Sequence, residues 1–252
     1  MNGESSTLRG VTGTAAGQSP PACQQSGRDN SARFRIRLKF SRKGPASRLS
    51  HLEQIRELRK TAEASGLPCA CVKRGKNRTA KISFGPAISV GYESLCEYAD
   101  IYLRSAVGEA EAGEKIGAAF SPGLEVIRVR RIPLHFPSIE SLVNVAEYEI
   151  RGKFPEHYGT DALRRFLDRS EIIFVKTKPD GTKETINVRP LVLSMETDGA
   201  GTAGLMLRYG PKRNVKPERV LALSLDTEPD PDWKVLKKGL YWESPGGMLK
   251  TL

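Results

Sequence analysis

The sequence predicts an α+β protein made of two ferredoxin-like (split βαβ) units in tandem, each an antiparallel sheet with its helices on one face. Three observations carry this expectation. Residues 33–40, RFRIRLKF, alternate cationic and apolar side chains with the period of a strand. Strand-like and helix-like stretches then follow in the order β-α-β-β-α-β up to residue 133, with one small extra strand. Beyond a linker-like break at 133–144 the same order returns loosely, as a repeat of elements without residue-level likeness.

Residues 1–31 are rich in Gly, Ser, Thr, Gln and Pro and carry no periodicity, so they read as a disordered extension. Order starts at Arg33. Phe34, Ile36, Leu38 and Phe40 form one strand face, and Arg33, Arg35, Arg37 and Lys39 form the other. Ser50-His51-Leu52-Glu53 fits a capping box, with Ser50 as N-cap and Glu53 three residues on. The helix it opens has an inward stripe and edge at Leu52, Ile55, Leu58, Arg59 and Ala62, and Gly66 and Pro68 stop it. A short strand at 69–72 leads into a basic loop at 73–81, KRGKNRTAK. Ile82 and Phe84 start another strand, which Gly85-Pro86 interrupts. Residues 97–103 alternate again, 108–120 suit a helix through Ala112 and Ile116, and 124–132 make a strand.

These elements define a first, strongly basic unit at 32–133 and a second at 134–252. In the second, strands are expected at 146–151, 172–177, 183–188, 191–196, 203–208 and 233–242. One helix at 160–170 faces inward through Leu163, Phe166 and Leu167. Another begins at Pro217, a residue suited to the first helical position, and runs through Val220, Leu221 and Leu223. Lys178-Pro179-Asp180-Gly181 and Asp198-Gly199 are turn signals. A split βαβ unit gathers its helices on one side, so the other face of the first sheet is expected to be open to solvent or a partner.

The 252 residues are 38% hydrophobic, too apolar for a wholly disordered chain. No run of 18 apolar residues occurs and the first 30 residues lack a hydrophobic signal core, so neither a membrane span nor a secretory signal is expected. A cytoplasmic protein follows from that reading. Net charge is +11, and residues 33–81 carry 15 Lys and Arg against 3 Asp and Glu, so one segment holds all of it. The candidate nucleic-acid contacts are Arg33, Arg35, Arg37 and Lys39 on the strand, with Arg42, Lys43, Lys73, Arg74, Lys76, Arg78 and Lys81 in the loops. Arginine forks suit phosphate oxygens. Two blander readings stand beside this one: a docking surface for an acidic protein, and a solvated edge that discourages aggregation. No aromatic residues interleave with the cations and no RNP signature is present, so contact would be by shape and phosphate rather than by base.

Catalytic chemistry is not legible. Cys23, Cys69, Cys71 and Cys96 read as reduced thiols, because a zinc site would want a second Cys or His pair. No metal site or cofactor is expected. Among the histidines, His135 and His157 read as loop residues. His51, in the first turn of a helix beside basic loops, is a weak general-base candidate against the ordinary reading of a half-buried helix-start residue. Glu93, Glu97 and Asp100 are carboxylates near one strand with no evident pairing. Gly75-Lys76-Asn77 is too short for a phosphate cradle, and the cysteine triad of a radical-SAM cluster is missing.

The strings RFRIRLKFSRKGPASRLSHLEQIR, KISFGPAISVGYESLCEYADIYL, SLVNVAEYEI, INVRPLV, KPERVLAL and KKGLYWE resemble the radical-SAM-linked domain of unknown function 2344 (DUF2344), over about Arg33 to Glu243. The resemblance implies a stand-alone copy of a domain found alone or at the C-terminus of radical-SAM proteins. It also implies a partner or substrate-presenting module acting with RNA or ribosomes. Positions matching the shared motifs are Ser50, His51, Asn77, Ser83, Phe84, Gly85, Pro86, Gly91, Glu93 and Ser94. Where such proteins carry an Asn-Pro-His-Pro-like stretch, this chain has Asn77-Arg78-Thr79-Ala80, so the Asn matches and the His does not.

The function expected from these readings is a non-catalytic accessory module that works with a radical-SAM enzyme and binds RNA through a basic sheet face. The alternatives are an adaptor docking an acidic face of the radical-SAM partner and a small RNA-processing enzyme with His51 as base.

Overall fold

A computed structural model describes Cys23 and residues 30–155, 158–177, 180–210 and 214–252. The expected disordered extension, apart from Cys23, Asn30 and Ser31, lies outside the described residues, as do His157 and Lys178-Pro179 of the expected turn. The fold is α+β with mostly antiparallel pairing. In the first half the elements are β1 (Phe34–Arg42), α1 (His51–Ala64), β2 (Cys71–Arg74), β3 (Asn77–Ala80), β4 (Ile82–Phe84), β5 (Glu93–Leu103), α2 (Glu109–Ala119) and β6 (Leu124–Ile132). A short α3 (Ile139–Leu142) leads to β7 (Val145–Arg151), α4 (Thr160–Leu167), β8 (Ile173–Thr177), β9 (Lys183–Asn187), β10 (Val192–Thr197), β11 (Thr202–Arg208), α5 (Pro217–Leu225), β12 (Lys234–Glu243) and β13 (Leu249–Thr251).

A single nine-stranded sheet runs β10-β11-β7-β12-β5-β1-β6, with β4 on β5 and β13 on β12. Around β1 the local order is β6-β1-β5-β4, all antiparallel. Around β7 it is β10-β11-β7-β12, again antiparallel. The halves meet at one short parallel pairing, Leu236 with Glu93 and Lys237 with Ser94. The penultimate strand of the chain therefore sits in the middle of the sheet, and the halves share that sheet rather than each having its own.

Ile36, Leu38 and Phe40 are buried with Leu58, Ala62 and Ile116 in one core, and burying each large side chain contributes about 1.5–3 kcal/mol. Leu163, Phe166, Val220 and Leu221 build a second core against β7 and β11. A third cluster joins the halves, where Cys96 and Tyr98 of β5 pack with Ile139, Val143, Ala146 and Leu240. Ser50 caps α1 as expected: its hydroxyl accepts from the Glu53 amide at 3.3 Å, and its own amide donates to the Glu53 carboxylate at 2.8 Å. The Ser50 hydroxyl, which donates to the Glu53 carboxylate at 2.7 Å, and then the Ser50 amide hold that carboxyl below its ordinary pKa. The inward face of α1 is Gln54, Leu58, Thr61 and Ala62, with Leu52 left 64% exposed. The helix is thus turned from the expected stripe, because Gln54 has polar partners inside.

Two further expectations are corrected. The basic loop at 73–81 is a hairpin: β2 and β3 pair from Cys71 with Ala80 to Arg74 with Asn77. Gly75, at φ 60°, opens its two-residue turn in a conformation other residues rarely adopt. The thiols are not all reduced either. Cys23 and Cys71 form a disulfide with Cα atoms 5.8 Å apart, while Cys69 and Cys96 are free and buried. Burial pushes their thiols up, to about 12 for Cys69 and about 11 for Cys96, so neither is poised as a nucleophile. Among the described residues, no helix is long and apolar enough to cross a membrane.

Candidate nucleic-acid interface

The cationic face of β1 is not the open surface that alternation suggested. Arg35 is 2% exposed and Arg37 6% exposed, and both are ion-paired with Asp100, which is wholly buried on β5. Register explains the encounter, since Arg37 lies directly opposite Asp100. Arg37 grips it twice, Nε to Oδ1 at 2.8 Å and Nη2 to Oδ2 at 3.0 Å, the bidentate geometry that suits a planar guanidinium. Arg35 also donates to the Phe136 carbonyl at 2.6 Å and the Pro137 carbonyl at 3.2 Å. The expected linker at 133–144 is therefore a strap across this face. Its Phe136 ring lies 5.7 Å from Arg37 Cζ, and Tyr102 lies 5.2 Å from Arg35 Cζ.

Arg42 is wholly buried as well. It donates to Gln54 Oε1 at 2.8 Å and to the carbonyls of Leu49, at 2.7 Å, and Ser47. Gln54 Nε2 in turn donates to Glu97 at 3.3 Å, and Glu97 meets Lys237 of β12 at 2.5 Å. Both ends of that last pair are 3% exposed. Burial on its own pushes the Glu97 carboxyl up, but Lys237 and the surrounding hydrogen bonds outweigh it and hold the group below its ordinary value. Lys237 is correspondingly held above its ordinary value by Glu97 despite burial. A polar chain of four side chains thus crosses the seam between the halves. Arg35, Arg37 and Arg42 are accordingly removed from the set of surface contacts.

The cations left outside gather on the β2–β3 hairpin. Lys73, Arg74, Lys76 and Arg78 are all exposed, and no acidic residue lies within the hairpin. Lys73 stands directly opposite Arg78, an arrangement that costs stability for like charges. After burial, the charge of Arg74 is the next influence lowering the pKa of Arg59 on α1. The hairpin is fastened at its base. Glu63 of α1 accepts from Thr79 Oγ1 at 2.9 Å and from the Ala80 amide at 3.2 Å, and the Cys71 amide donates to Asn30 at 2.8 Å. Lys43 and Lys81 are exposed elsewhere, Lys81 with Nζ 4.5 Å from the Tyr102 ring. Arg33 is exposed at the start of β1, and Lys39 is half-buried with Nζ 5.8 Å from the Tyr98 ring.

The motif residues fall in several places rather than one. Asn77 is exposed on the hairpin opposite Arg74. Ser83 reaches the Tyr102 hydroxyl at 3.4 Å, Phe84 carries the Arg59 guanidinium 5.3 Å above its ring, and the Gly85 amide donates to the Tyr98 carbonyl at 2.9 Å, with Pro86 following. A Cβ at Gly85 would come within 3.2 Å of that carbonyl, so the close approach asks for glycine. Gly91, at φ 89°, donates to the Ser47 carbonyl, and Glu93 accepts from the Gly44 amide at 2.8 Å. Ser94 is buried and accepts from the Cys96 amide. His51 is half-buried in the first turn of α1, with Nδ1 enclosed and lacking a hydrogen-bond partner among the described residues. His135 is exposed on the strap, as a loop residue should be.

Sequence reasoning missed Gln54 and Lys237. Gln54 is a polar residue on the buried face of α1, a signal only in hindsight of its partners, and Lys237 lies in a strand that pairs mainly with β7 of its own half and meets β5 of the other half at only two residue pairs. No curated protein matches the chain. Residues 35–217 match the family described as uncharacterized protein conserved in bacteria, DUF2344, and the span from β1 to the start of α5 includes both buried ion clusters except Lys237. The chain belongs to that family.

Proposed function

We propose that the protein is a non-catalytic module that binds RNA through the β2–β3 hairpin and serves a radical-SAM enzyme in the cytoplasm. The observation that carries this reading is the hairpin itself: four exposed cations within six residues, two of them opposed across the strands, with no carboxylate inside the hairpin and none ion-paired with them among the described residues. An anionic partner relieves that repulsion, and phosphate is the ligand that arginine and lysine take without reading bases. The link to a radical-SAM partner rests on the family resemblance of the motifs. We further propose that each half is a ferredoxin-like unit; the matching strand orders around β1 and β7 support this.

The adaptor alternative loses its basis where it relied on Arg35 and Arg37, which face Asp100 rather than a partner. The enzymatic alternative rests on His51, whose Nδ1 is enclosed and lacks a hydrogen-bond partner among the described residues. The deciding experiment measures binding of a tRNA or an rRNA fragment between about 50 and 200 mM salt. If the four hairpin cations each neutralise a phosphate, the slope of log K against log salt is about −3, roughly a hundredfold loss over that range. Reversing all four to Glu should flatten the slope. Weak, salt-independent binding by a folded wild type would remove the reading.

A further inference from the structure

A cleft of about 730 Å³ opens at the seam between the halves, away from any role in the reading above. Its volume lies in the range of small-molecule sites, which favour junctions between packed units. Arg48, from the turn after β1, stands on one side, and Lys234, at the start of β12, on the other. Both are exposed and neither is ion-paired among the described residues. Two carboxylates, Glu93 and Glu149, also face the cleft, and Pro45 and Leu236 give it an apolar surface. Glu93 keeps one oxygen on the Gly44 amide, which leaves the other for a ligand hydroxyl. Glu149 is held by Arg151 on Oε1 at 2.7 Å and by Lys238 on Oε2 at 3.5 Å, so a ligand hydroxyl would use its remaining lone pairs.

The wall on the first-half side is rigidly built. The buried Arg42 guanidinium ties together the carbonyls of Ser47, Leu49 and Ser89, and the Gly91 amide closes on Ser47. Directly behind the β12 floor lies the buried Glu97–Lys237 pair. A buried ion pair is weak evidence for stability, since apolar residues of similar volume serve as well or better. Charged groups locked behind a cleft at a seam are the kind of support that fixes a binding site.

We propose that this cleft binds a phosphorylated sugar of nucleotide size. The phosphate sits between Arg48 and Lys234, hydroxyls donate to Glu93 and Glu149, and the face of the base lies against Pro45 and Leu236. The test is calorimetry on the full chain with three probes: adenosine 5′-monophosphate, ribose 5-phosphate and inorganic phosphate. The expected order of affinity is the mononucleotide, then the sugar phosphate, then phosphate. The double variant Arg48→Glu/Lys234→Glu changes only exposed side chains and should bind the mononucleotide at least about tenfold more weakly at unchanged melting temperature. The four-fold hairpin reversal should leave this binding as it was. The proposal is overturned by no saturable binding of the two sugar phosphates, by equal binding in the double variant, by inorganic phosphate binding as tightly as the mononucleotide, or by loss in the hairpin variant instead.

Discussion

β1 and the β2–β3 hairpin are alike in sequence and opposite in fate. Each is a short strand stretch studded with arginine and lysine, yet Arg35 and Arg37 are almost wholly enclosed while Lys73, Arg74, Lys76 and Arg78 stand in solvent. The difference does not lie in the cations. It lies in what other parts of the chain deliver: Asp100 from β5 and the carbonyls of residues 136 and 137 meet the β1 guanidinium groups, whereas Glu63 reaches the hairpin only at Thr79 and Ala80 and, among the described residues, no carboxylate is ion-paired with its four cations. Clustered positive charge in a sequence therefore marks a demand for anionic or carbonyl partners, and the fold decides whether that demand is met within.

The comparison is broken most severely by Asp100→Asn. It leaves two enclosed guanidinium groups without a counter-charge and should cost about 3–5 kcal/mol, read as a lower denaturant midpoint at constant slope. A cost under 1 kcal/mol would mean that the carbonyls alone satisfy the arginines. Acid tests the same dependence on the seam without mutation. The folded Glu97 carboxyl is held below its ordinary value of 4.5, so its contribution is complete above that value and is lost as pH falls through the depressed folded one. Glu97→Gln should flatten this acid limb of the stability curve, and an unchanged limb would assign it to other carboxylates.

Cys23→Ser sharpens the contrast from the hairpin side. The bond spans a sequence separation of 48, for which the loop-entropy account gives about 4 kcal/mol and typical measurements about 2–4. The hairpin base should also gain faster amide exchange at Cys71 in the variant, whereas Asp100 and its arginines should not. The smallest effect belongs to Lys76→Glu. At the exposed tip it should move stability by no more than about 0.5 kcal/mol, while RNA binding weakens and the salt slope falls by about 1.

Period and capping made much of the fold legible. The β1 alternation, the Ser50–Glu53 box, Pro217 at the head of α5 and the strands near residues 124–132 and 203–208 all follow from local rules. What stayed hidden depends on distant pairing. No local rule says that residue 100 faces residue 37, that residue 237 reaches residue 97, or that Cys23 meets Cys71. Alternation assigns side chains to faces but does not say what covers a face. The strap at residues 134–137 therefore overturned the expected open surface without disturbing the expected strand.

The place of β12 in the sheet bears on how the chain is made. Until Lys234–Glu243 leaves the ribosome, β7 lacks the antiparallel neighbour and β5 the parallel one that this segment supplies. Each nascent half then presents a bare hydrogen-bonding edge, the usual starting point for mispairing between growing chains. The nine-stranded sheet is continuous only with this late segment in place between β7 and β5, as an arch stands only with its keystone.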